Sequence, residues 1–113
     1  MTLYHKDLGL PKSARSLQFA GFLTYSQHAR DAAKTDRYGQ VDLPTIFDSR
    51  NASLIEAGYD GEKVVKTVYR QQYDRQHDLC IVLDPRTMRV ITVWLNRLDD
   101  HHRTLQEDKY AQL

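Results

Sequence analysis

Val90-Ile91-Thr92-Val93-Trp94-Leu95-Asn96 decides how the chain folds. Its residues are β-branched or aromatic at almost every position, the composition that suits a pleated, half-buried surface. With the two-residue period of a strand, Ile91, Val93 and Leu95 fall on one face and Thr92, Trp94 and Asn96 on the other. One face is therefore apolar, and the other carries hydroxyl, indole and amide groups. The expectation is a central strand whose polar face is the floor of a site, running into Asp99-Asp100-His101-His102.

Working outward, Leu79 to Leu83 is a continuous apolar run of strand length, and Asp84-Pro85-Arg86-Thr87 places Pro where a turn favours it. Ser53 to Tyr59 reads as another strand, Asp60-Gly61 as a tight hairpin turn, and Glu62 to Tyr73 as its long partner. These segments predict a four-strand antiparallel meander. Ser26 is positioned to cap a helix from Gln27 to about Asp36, since its hydroxyl can accept an orphan amide hydrogen of the first turn. Ala29, Ala32 and Ala33 share one face of that helix and are small enough to lie close on a sheet. Phe22 to Tyr25 reads as a brief strand, Ser13 to Gly21 as a short helix, Met1 to Leu10 as an irregular arm, and Val41 to Asp48 as a connector.

The expected fold class is thus α+β, with N-terminal helical segments packed on a curved four- to five-stranded antiparallel sheet. Residues 1–21 form an arm or short helix, and residues 22–113 a single domain with a short C-terminal tail. A chain of 113 residues has room for one modest core. Hydrophobic residues at 41% and charged residues at 27% exclude disorder over the whole length. A formal net charge of +1 excludes a polycation that coats nucleic acid indiscriminately, while leaving local basic patches open. The single Cys80 has no internal partner and lies in an apolar run, which fits a reducing compartment. No signal peptide, lipidation motif or membrane-length apolar run is visible, so a soluble cytoplasmic protein is expected, as monomer or homodimer.

Tyr25-Ser26-Gln27-His28-Ala29-Arg30, followed by hairpin strands bearing Lys and Arg and then by Val90-Ile91-Thr92-Val93-Trp94, resembles the small RNase superfamily of barnase, EndoU, the colicin-type tRNases and the RelE/ParE toxins. The Ser-x-His-Ala branch, with small actinobacterial and phage proteins, is the nearest part of it, and the resemblance covers roughly Phe22 to His102. It implies a RelE/barnase-like fold, a concave sheet face as substrate floor, and metal-independent RNA cleavage in active members. It also implies inactive relatives that bind a host protein or nucleic acid. The partners expected from it are RNA or ribosome-associated RNA, or a protein inhibitor or host protein.

RNA cleavage by attack of the 2′-hydroxyl requires a base, a cation beside the phosphate and an acid for the leaving oxygen. His28, at a helix start, is the candidate proton carrier. Lys66 and Arg70, four apart on a strand, share a face that could grip a phosphodiester, and Thr92 could donate to it. Arg30, Tyr69, Trp94, Asn96 and His101 are the candidate RNA-binding residues, Tyr69 belonging to the opposite strand parity from Lys66. Glu56 and Glu62 flank a hairpin tip, so no barnase-like general base is evident. Adjacent residues in Asp99-Asp100-His101-His102 point apart, so no metal site and no cofactor are expected. Three readings stand: a toxin-like endoribonuclease or RNA-binding protein, a catalytically silent regulator of the same ancestry, and a structural protein dimerising through a strand edge.

Overall fold

The meander expected from Ser53 onward forms, and two further strands extend it. The computed structural model describes residues 1–100 and 106–113. In chain order its elements are strand β1 (Thr2–His5), helix α1 (Lys12–Arg15), strands β2 (Ala20–Phe22) and β3 (Thr24–Tyr25), helix α2 (Gln27–Lys34) and strand β4 (Ile46–Asp48), then the long strands β5 (Ser53–Asp60), β6 (Lys63–Gln72), β7 (His77–Asp84) and β8 (Arg89–Arg97). Single 3₁₀ turns cover Ser49–Asn51 and Glu107–Lys109. The main sheet has the order β1-β5-β6-β7-β8-β3, and β2 and β4 form a separate two-stranded ribbon.

This corrects the expected fold class. Among the described residues strand outweighs helix by 44% to 17%, and the sheet is six-stranded and mixed, because β3 joins β8 in parallel. A helical N-terminal layer on a four- or five-stranded antiparallel sheet is not what the chain builds. The reason lies in the first 25 residues. Thr2–His5 carries no clear apolar period, yet it pairs with β5, Leu3 opposite Gly58 and Tyr4 opposite Ala57. The helix expected over Ser13 to Gly21 stops at Arg15. Beyond it the Phe19 ring packs against Phe47 at 5.6 Å and Tyr69 at 5.7 Å, and its amide donates to Ser49 Oγ at 3.0 Å, which draws the chain into the ribbon.

One face of the main sheet carries the larger core. Tyr69, Leu79, Ile81, Leu83, Val90, Val93 and Leu95 pack there against Leu23, Ala29, Ala33, Val41 and Phe47. Helix α2 runs along the β8 edge as its capping residue dictates. Ser26 Oγ accepts the Ala29 amide at 3.0 Å and donates to the Ile91 carbonyl at 2.8 Å, so one hydroxyl both starts the helix and ties it to the strand. At the other end Asp36 Oδ1 accepts the Leu95 amide at 3.1 Å. A second cluster on the same side joins Leu10 and Ala14 to Ala57 and Tyr59. On the opposite face Ile55, Val68 and Val82 are buried beside a partly buried Trp94.

Three irregularities break the simple alternation. In β8 Leu83 lies opposite Val90 and Val82 opposite Thr92, so Ile91 is an extra residue and stands 44% exposed instead of joining Val93 and Leu95 inside. In β5 Ile55 is the extra residue between Leu54 and Glu56, and in β6 Val65 is the extra one between Val64 and Lys66. The last slip returns Val64 to the side of Tyr59 and leaves Lys66, Val68 and Arg70 on the other face. No helix among the described residues is long and apolar enough to cross a membrane.

Candidate functional site

Cross-strand register sorts the candidate residues. Arg70, Cys80 and Trp94 form one row across β6, β7 and β8; Val68, Val82 and Thr92 form the next; Gln72, Asp78 and Asn96 form a third. Lys66, Arg70, Thr92, Trp94 and Asn96 are thereby brought to one face. Tyr69 is not among them: it is 3% exposed in the opposite core, where burial pushes its phenol up to about 12. His28 and Arg30 stay exposed on α2, and the His28 side chain makes no hydrogen bond or ion pair among the described residues. His101 lies outside the described residues.

The charges on the shared face are already committed to the protein. Arg70 Nε donates to Asp78 Oδ2 at 2.6 Å, Nη1 to the Asp100 carbonyl at 2.8 Å and Nη2 to the Arg97 carbonyl at 2.6 Å. Its side chain is only 11% exposed, so the guanidinium fixes the chain's return after β8 instead of facing solvent. Lys66 Nζ sits 3.5 Å from Glu56 Oε2. Asn96 is buried, with Oδ1 accepting from Arg37 at 3.2 Å and Nδ2 donating to Cys80 Sγ at 3.5 Å. Burial pushes the Cys80 thiol up to about 12, with the Arg70 charge opposing, so it is no nucleophile at neutral pH. Among the described residues, a proton carrier, a free cation and an acid do not converge on any one point of this face.

One of the features with room for a ligand lies at the end of the sheet where β5 begins and β6 ends. It is a cavity of about 500 Å³, in the range of small-molecule and nucleotide pockets. Lys6, Arg50 and Arg70 line it, against a single carboxylate, Asp78. Lys6 is placed by its own backbone, which donates to the Ile55 carbonyl at 2.9 Å just past β1, and its ammonium has no ion-pair partner among the described residues. Arg50 follows Asp48, whose carboxylate caps the 3₁₀ turn at the Arg50 amide and grips the guanidinium at 2.7 Å. That guanidinium holds the Asp48 carboxyl down at about 2. Ser53, Asn51, Gln71 and Gln72 complete the polar lining. Four separate segments supply these groups, and Lys6 and Arg50 carry no local pattern to mark them. Only the Arg70 position was readable from strand parity.

No family model, curated protein or solved structure matches the chain. The functional reading therefore rests on the chemistry of the cavity.

Proposed function

We propose that this protein binds single-stranded RNA without cleaving it, through the cavity lined by Lys6, Arg50 and Arg70. The observation that carries the reading is that a Lys6 ammonium unpaired among the described residues and a solvent-facing Arg50, held only by Asp48, meet in this cavity beside an Arg70 already spent on Asp78, in a chain whose net charge is only +1. Such a cradle suits a phosphodiester: Lys6 supplies a mobile point charge, and Arg50 a planar fork that can trade Asp48 for phosphate oxygens. Amide groups beside them offer both donors and acceptors, which a ribose 2′-hydroxyl can satisfy. The non-cleaving part follows from the commitments of Arg70 and Lys66 to Asp78 and Glu56, which leave His28 alone on its helix.

The test is fluorescence anisotropy with a labelled single-stranded RNA of mixed sequence, its DNA counterpart as comparator, and gel analysis of the same mixtures in EDTA. RNA is expected to bind more tightly than DNA and to remain intact. Lys6→Ala and Arg50→Ala should each weaken binding and together flatten its salt dependence, each lost phosphate contact lowering the slope by about 0.7. Binding indifferent to both substitutions would sink the proposed site, and cleaved RNA would restore the nuclease reading.

A further inference from the structure

A second cavity, about 550 Å³, opens beside the first and is walled by Tyr38, Gln76, His77, Arg97, Leu98 and Asp99. Leu98 lines both, so one apolar side chain, 42% exposed, stands between them. The two differ in chemistry. Where the first presents cations and amides, the second presents rings: Tyr38 lies 4.7 Å from His77 between centroids and is 41% exposed. This wall is braced from both sides. His77 Nδ1 is 3.0 Å from Asp74 Oδ1, and the Arg37 guanidinium lies 4.8 Å from the Tyr38 ring centre. Tyr38 and His77, tilted on each other by 47°, make one continuous wall with Leu98 at its end; a flat aromatic group can lie against their exposed sides, and Gln76 and Asp99 can meet that group's polar edge.

Resting on the reading that the first cavity holds a phosphate of a single strand, we infer that the second holds the base of the neighbouring nucleotide. The minimal ligand is then a dinucleotide whose backbone crosses Leu98, with Arg97, exposed and 3.3 Å from Asp99, beside the crossing. A base seated in that cavity cannot also be paired in a duplex, so the site selects single strands by shape rather than by sequence.

Calorimetric titration with a ribonucleoside 5′-monophosphate and with a ribodinucleotide carrying the same 5′-phosphate tests this. The second nucleotide should raise affinity roughly 5- to 150-fold, the range for one stacked base. Tyr38→Ala should abolish that gain while leaving monophosphate affinity unchanged, Tyr38→Phe should keep it, and Lys6→Ala should weaken both ligands. A dinucleotide that binds no better than the monophosphate, or equal losses for both ligands in Tyr38→Ala, would overturn the second subsite while leaving the first intact. Failure of both ligands to bind the wild-type chain would remove the phosphate cavity and the base subsite together.

Discussion

Arg70 makes more directed contacts than any other candidate residue, and all of them are internal. Replacing it with Met removes donors from the Asp78 carboxylate and from the Arg97 and Asp100 carbonyls at once. Leaving a nearly buried carboxylate unpaired is costly, so Arg70→Met should lower stability by about 3 kcal/mol in urea unfolding. Arg70→Lys should recover little, because one ammonium cannot span three acceptors. The double variant Arg70→Met/Asp78→Leu should be less destabilised than the sum of its singles; additivity would show that the pair is not coupled. Next to Arg70 in its row, Cys80 is 1% exposed, and burial raises its thiol from 9.0 to about 12; burial likewise raises Tyr69 from 10.0 to about 12. Both acids are neutral when protonated and hold their protons more tightly in the native state. Their contribution is therefore complete below the unfolded values and is lost as pH rises from 9.0 through about 12. The urea midpoint should fall between pH ~8 and pH ~11, and less steeply in Cys80→Ala.

At the scale of elements, helix α2 and the meander were legible because their signals are local. The Ser26 cap, the alanine face and the Asp60-Gly61 turn each act within a few residues, and Gly61 indeed takes φ 62° where a tight hairpin demands it. Ser26→Ala should cost about 1–2 kcal/mol, since it loses both the cap to Ala29 and the bond to Ile91; Ser26→Thr, which retains an oxygen, should recover part of it in thermal unfolding. The bulges were not legible. Nothing in Val90-Ile91-Thr92 says which residue is extra; that is decided by the pairing of Leu83 with Val90 and Val82 with Thr92, contacts between strands. The same holds for the site. Parity placed Lys66 and Arg70 together, but whether their charges face solvent or bind Glu56 and Asp78 is a property of the assembled sheet. β1 escaped notice for a related reason: four residues without a clear apolar period become a strand through their pairing with Glu56 to Tyr59, a partner some fifty residues away.

At the scale of the molecule, the main sheet closes its own edges, and this bears on association. The β8 edge is met by β3 at Arg89 and Val90, by the Ser26 hydroxyl at Ile91 and by Asp36 at Leu95. The β1 edge receives the Ala111 amide on the Leu3 carbonyl at 2.8 Å, while the Tyr110 ring lies 5.2 Å from His5. Unpaired strand edges are what recruit a second copy, so covered ones favour a monomer over the edge-paired dimer that an isolated meander would invite. Sedimentation equilibrium should accordingly return a monomer at every loading concentration. Deleting Gln106–Leu113 strips the cover from β1 alone and should produce concentration-dependent association. Introducing a lysine at Thr2, on the same strand, should suppress that association, because a charge on an exposed edge opposes pairing. An intact 113-residue chain that dimerises, or a truncated one that stays monomeric, would show that the return of Tyr110 and Ala111 to β1 is not what keeps this sheet from pairing with a second copy.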